Sequence, residues 1–283
     1  MTMSTEKSLK DHITEAVQKP GLQLPVFNPV ALELQQILQE ENASNAKIEA
    51  TLQRDPALAG QILRMANSSM YAGLSEITTL RQALTRIGSK QVMRLAMAAA
   101  QLGLYRSKNP LCARYMDEMW RAASASASAA AWLAEKSGHG QLSEQAFLAG
   151  LLHDVGKLLI LRVIEDLAAG QGAAKPVSDA VVVEMLEALH CEYGHDLMKR
   201  WNLPAQYCLV GREHHAAECN TGNVLLVCVR LADQICRKLG IGCNPEPDLI
   251  PSASEEAAAL RIGEVPLADL EVTLEDQVGL LAA

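Results

Sequence analysis

The sequence predicts an all-α protein, a two-lobed helical bundle, and three observations carry that expectation. Apolar residues recur at three- and four-residue spacing between capping residues. Ala and Leu, both good helix formers, supply most of a hydrophobic content of 49%. Aromatic residues make up only 4%, with Phe27 and Phe147 the sole phenylalanines, which is thin for a β-sandwich or barrel. A chain of 283 residues with 20% charged side chains can bury a core, as one large domain or two modest ones.

The elements follow in order. Asp55-Pro56 sets a capping carboxylate before a proline at the first helical position, and Leu58, Ile62 and Met65 follow on one face up to Asn67-Ser68-Ser69. Thr78 or Thr79 caps the next helix, with Leu80, Ala83, Leu84 and Ile87 inward and Gly88 as the left-handed residue beyond its end. Ser89 starts another, carrying Val92, Leu95, Ala96 and Leu102. Residues 115–136 read as a longer helix ended by Ser137-Gly138, and only Ala and Ser fill positions 122–131, which suits an inner helix approached closely by a neighbour.

Two further helices are expected over 143–166 and 181–201, the second stopped by Asn202-Leu203-Pro204. Shorter ones cover 206–214 and 224–239, and the segment AAGQGAAKPVS at 168–178 reads as a loop. Val181-Val182-Val183, the best strand signal, is short enough for a helix to absorb. Beyond Ile241, Pro245, Pro247, Pro251 and Pro266 predict an irregular acidic tail with at most one short helix.

The net charge of −8 is unevenly placed. Residues 244–283 hold nine acidic residues and one basic, Arg261, so the body before them is balanced. Residues 77–116 hold seven basic residues and no acidic one. A solvated helical face explains most such runs. The alternatives are an anionic partner at Arg81, Arg86, Lys90 and Arg94, or the acidic tail folded over that stretch. No run of 18 apolar residues occurs and the N-terminal MTMSTEKSLKDHITEA has no apolar core, so neither a membrane span nor a secretory signal is expected. Seven cysteines without a CxxC point to reduced thiols and a cytoplasmic location.

The chemistry concentrates at His153-Asp154, an ionisable pair inside the apolar run AGLLHDVGK. Burying a lone carboxylate there costs several kcal/mol, roughly, so a metal or a hydrogen-bonded imidazole is expected beside it. Adjacent helical positions diverge by about 100°, yet both side chains can bend towards one ion. Further candidate ligands are His190, His195, His214, His215 and Asp233. Imidazole and carboxylate together suit Fe, Mn, Zn or Ni. At most one of His214 and His215 should point inward, since neighbouring helical residues do not share a face. His195, His12 and Lys157 are expected at the surface, Trp120, Trp132 and Trp201 in the core or an interface, and Cys228 and Cys236 in the core.

In order, GLLHDVGK, HCEYG, WNLP, HH and AD resemble the HD superfamily of metal-dependent phosphohydrolases. Upstream, LQLP at 22–25, RDPAL at 54–58, ILRMANS at 62–68 and ALTRIG at 83–88 resemble the HDOD (HD-related output domain) family. That resemblance spans about Leu22 to His215, with Asp233 as an extension. It implies a bacterial signalling or regulatory protein, all-helical, in which the HD-type fold serves without demonstrated hydrolysis. Residue by residue it implies that His153 and Asp154 are the paired His-Asp, His190 the histidine four residues before Gly194, His214 and His215 the later pair, and Asp233 the final aspartate.

Two departures stand out. The first metal-binding histidine of active HD enzymes corresponds to about Ala122, 31 residues before His153, and no neighbour there can replace it. His214-His215 runs into Ala216-Ala217-Glu218 rather than a GYP signature. A degenerate site is therefore expected, with domain limits at 1–19, 20–110, 111–243 and 244–283. No cofactor is expected, or a divalent transition metal at partial occupancy. The leading expectation is a non-catalytic module that binds a signalling protein or a nucleotide. A metal-dependent phosphohydrolase is the alternative, and DNA binding at the Gly88 junction the least favoured.

Overall fold

In a computed structural model, residues 9–18, 27–37, 44–68, 76–170 and 178–281 are described, and among them there is helix and no strand. The motif at Leu22–Pro25 and most of the loop at 168–178 lie outside them.

The first helices are α1 Leu9–Gln18, α2 Pro29–Ile37, α3 Asn45–Gln53, α4 Pro56–Ala66, α5 Leu80–Arg86 and α6 Ser89–Leu102. Their ends follow side-chain chemistry. Asp55 accepts from the Leu58 amide with Pro56 in the first turn. Thr79 and Gln82 form a reciprocal capping box, and Gly88 takes φ +85° between α5 and α6. Asn67 binds Ile77 through both its amide groups, closing the intervening segment.

The centre of the molecule is α7, Pro110–Lys136, capped by Asn109. Around it lie α8 Ser143–Leu152, α9 Val155–Gly170, α10 Asp179–Arg200, α11 Ala205–Glu213 and α12 Val224–Lys238. The Ala/Ser stretch of α7 is an inner face, as its composition predicts. A Cβ on Gly150 of α8 would lie 2.6 Å from Ser126 O, so the two helices touch backbone to backbone. Trp201 is buried against Phe27, and Cys228 and Cys236 are buried.

Two expectations are corrected. The single helix over 143–166 is two, α8 and α9, broken at His153-Asp154. The His153 imidazole donates from Nδ1 to Gly150 O at 2.7 Å, the carbonyl that an unbroken helix would give to the Asp154 amide. The tail is irregular only in part. After a 3-10 turn at Pro251–Ala253 it forms α13 Glu255–Leu260 and then α14 Glu264–Leu281. Pro266 falls in the first turn of α14, where a missing N–H breaks no helical bond. Leu267, Leu270 and Leu274 form its buried stripe.

Three carboxylates of the tail pair with α12 rather than with the basic stretch: Glu246 with Arg237, Glu256 with Arg230 and Glu271 with Lys238.

Candidate functional site

Four elements converge beside α7. The α8–α9 break presents His153 and Asp154, α10 brings His190, the turn after α11 brings His214 and His215, and α12 brings Asp233. Glycine makes the approach possible. A Cβ on Gly156 would sit 2.0 Å from His190 O and 2.6 Å from Gly194 N, so α9 and α10 meet without side chains between them. One ligating atom from each of Asp154, His190, His214 and His215 lies within 4.8 Å of every other.

Three imidazoles share one arrangement. Like His153, His190 donates from Nδ1 to a carbonyl of the preceding turn, Leu186 O at 2.8 Å, and His214 likewise to Gly211 O at 3.0 Å. In a neutral ring this leaves the lone pair on Nε2, and all three Nε2 atoms face inward. Burial pushes the pKa of His190 and of His214 down to about 3, so both rings stay neutral. Their Nε2 atoms are nonetheless 3.1 Å apart and lie 3.3 and 3.5 Å from Asp154 Oδ1. Asp154 Oδ1 and His153 Nε2 are buried without a hydrogen-bond partner. Facing lone pairs beside an unpartnered carboxylate oxygen fit a cation between them.

Asp154 is ionised. Burial pushes its carboxyl up, but the Lys157 ammonium beside it outweighs that and holds it well below the usual carboxylate range. Lys157 Nζ lies 2.9 Å from Asp154 Oδ2 and 3.1 Å from Glu187 Oε1. Lys157 is therefore buried, not solvent-facing as its place after Gly156 suggests. Burial lowers its pKa, and the two carboxylates more than reverse that, keeping the ammonium charged.

Both His214 and His215 face the site, against the expectation for neighbours on one helix. His214 is the C-cap of α11 and still helical in backbone (φ −66°, ψ −16°), so both rings reach the cluster by bending towards it, with their centroids 4.2 Å apart. His214 is buried, and the His215 side chain, 28% exposed, stands at the rim with Nδ1 4.0 Å from Asp233 Oδ2. His195 is half-buried rather than at the surface, with Nδ1 2.9 Å from Cys208 O. The His12 side chain lies outside what is described.

Ala122 lines a cavity of about 20 Å³ together with Asp154, Lys157, Asp233 and the segment Ile241–Asn244. That volume holds a water or an ion. Gly242, at φ +115°, brings its backbone against the alanine, so that an added Cβ would meet Ala122 Cβ at 3.2 Å.

The basic residues upstream are divided. Arg94 bonds Glu144, Glu135 and Ser143, bolting α6 to the α7–α8 junction, and Arg81 pairs with Glu49. Arg86 and Lys90 are exposed. Nothing in the residue pattern marks Glu187, Arg230 or Arg237 as neighbours of the cluster, although Glu187 stands one turn before His190.

A model of the HDOD domain matches residues 24–217. The chain belongs to the HDOD family. An uncharacterized protein of Treponema pallidum (strain Nichols) is 23% identical over 221 residues, which are 76% of this HDOD chain and 40% of that protein. The chain thus spans about 40% of the length of the curated relative it matches. An HDOD domain protein of unknown function from Geobacter sulfurreducens has the same fold, with a TM-score of 0.75 at 20% identity over 96% of this chain and 97% of its own. A provisionally named metal-dependent phosphohydrolase from Shewanella amazonensis SB2B gives 0.67 at 19% identity over 95% and 98%. A provisionally named signal transduction protein from Marinobacter aquaeolei VT8 gives 0.69 at 23% identity over 97% and 66%. No described helix of this HDOD protein is long and apolar enough to cross a membrane.

Proposed function

We propose that this HDOD chain is a non-catalytic signal-transduction module that acts by binding a protein partner, with its HD-type cluster retained as a structural centre. One observation carries the reading. Ala122 stands where the resemblance calls for a histidine ligand, and the backbone of Gly242 occupies the space beside it. The remaining cavity, about 20 Å³, is far too small for a nucleotide.

Asp154, His190 and His214, with His215 at the rim, would hold a divalent transition metal. Such an ion, when bound, supplies a Lewis acid that polarises water or a phosphoryl oxygen. Here Lys157 already neutralises one oxygen of Asp154, and the segment Ile241–Asn244 lines the space beside it. His153, Asp154 and Lys157 together tie α8, α9 and α10 into one unit.

The second reading, a metal-dependent phosphohydrolase, is favoured by the inward Nε2 atoms of three histidines. Purified protein supplied with Mn²⁺, Fe²⁺ or Zn²⁺ separates the two. The proposal expects no hydrolysis of nucleotides or cyclic dinucleotides above the level of a His153→Ala variant. Turnover at enzymatic rates that His153→Ala abolishes would overturn it.

A further inference from the structure

The turn that carries His214 and His215 is held by a residue from another helix. Arg230 lies on α12, one turn before Asp233, with its side chain only 12% exposed. Its Nη1 donates to Ala216 O at 2.7 Å and to His214 O at 3.3 Å, with Glu213 O at 3.5 Å. Those carbonyls belong to the end of α11 and the turn beyond it, where helical bonding has run out. The far side of the guanidinium is fixed in turn. Arg230 Nε donates to Glu256 Oε1 at 2.5 Å, and Gln234 Nε2 donates to Glu256 Oε2 at 3.0 Å. Glu256, on α13, is 2% exposed.

A planar guanidinium suits this task because its several N–H groups leave in fixed directions, where an ammonium offers one point charge. Both neighbours here face one centre, and the turn that carries them is held from outside by bonds to its carbonyls. The carbonyls that Arg230 gathers are the ones on either side of His215, and residues 215–218 of the turn are exposed.

We propose that Arg230 is the positioning residue that folds the His214–His215 turn onto the cluster, and that Glu256 of the C-terminal region holds its guanidinium in place. The metal-binding half of this inference rests on the reading above, while the half concerning the turn stands without it. Acidic residues of the tail thereby acquire a role at the site that the charge distribution alone did not reveal.

Hydrogen exchange and Co²⁺ titration of the whole chain, freed of metal, test it with Arg230→Gln and Glu256→Gln. Arg230→Gln is expected to speed amide exchange at 213–217 at least tenfold while α7 and α12 stay protected. It should weaken Co²⁺ binding on the order of 10- to 100-fold and alter the visible Co²⁺ spectrum. Glu256→Gln should do the same to a smaller degree, and it decides the matter if Arg230→Gln does not fold. Unchanged exchange in the turn, or faster exchange spread evenly over the chain, would overturn the inference. If the wild-type chain takes up no Co²⁺, the metal reading fails and the exchange data alone judge Arg230.

Discussion

Two polar clusters meet helix α8, and they are built on opposite principles. At the α6–α8 contact, Arg94 meets Glu144, Glu135 and Ser143, with Phe147 5.6 Å from its guanidinium, and Ser143 in turn donates to Glu135. Every charge there has an opposite neighbour. At the α8–α9 break, three imidazoles turn their lone pairs on one carboxylate, and Asp154 Oδ1 and His153 Nε2 find no donor. A closed network explains itself as structure, since an unpaired buried charge costs several kcal/mol, roughly, and a paired one does not. An open network of ligand atoms calls for something else to complete it. Proximity in space joins the two, because α8 belongs to both, but only the second points to function.

Breaking the contact that assembles the open cluster should have the largest effect. Gly156→Val places side-chain atoms where His190 O and Gly194 N already lie, and α9 and α10 must separate. We expect a loss of about 3 kcal/mol or more, or no folded protein, read by urea denaturation. Next, Arg94→Met strands the Glu144 carboxylate, while half-exposed Glu135 keeps Ser143, and should cost about 1–2 kcal/mol, with the same loss in chelator as in Zn²⁺. The open cluster should behave differently. Wild type should melt higher in excess Zn²⁺ than in chelator, as any ligand of the native state requires, and Asp154→Asn should remove that difference. Equal metal dependence in Arg94→Met and Asp154→Asn would erase the distinction between the clusters.

How much of this could be read beforehand depended on how local the cause was. Asp55-Pro56, Thr79 and Gly88 set helix ends through their own side chains or backbone freedom, so those ends were legible. His153, Asp154, His190, His214, His215 and Asp233 stand out by residue type and again by the resemblance, and the structure brings them to one place. What escaped was non-local. The α8–α9 break at His153-Asp154 has no signature in the local residue pattern, since His190 makes the same ring-to-carbonyl bond inside the unbroken α10. The turn that carries His214 and His215 is bonded by Arg230, sixteen residues beyond His214. Lys157 is drawn inward by Asp154 together with Glu187, the second of them thirty residues away in sequence. Helix α14 was hidden because a proline signals a stop unless it falls in a first turn.

A smaller effect sharpens the link between the tail and the site. Burial raises the Glu256 carboxyl, but the bonds from Arg230 and Gln234 prevail, and its pKa falls below the usual carboxylate value. A group lowered on folding contributes stability above its unfolded pKa and loses it as pH drops through the folded one. Glu256→Gln should therefore flatten the acid limb of the stability curve below about pH 4.5, measured by urea denaturation across pH. A limb as steep as in wild type would remove Glu256 from the account.

The central claim is that the open cluster accepts an ion and remains closed to phosphoesters. Crystals grown with Mn²⁺ and a non-hydrolysable nucleotide test it directly through anomalous diffraction. The account predicts one Mn²⁺ peak among Asp154, His190 and His214, with Gly242 still against Ala122 and no phosphate beside the ion. A phosphoryl oxygen bound to that ion, with the segment Ile241–Asn244 displaced, would contradict it.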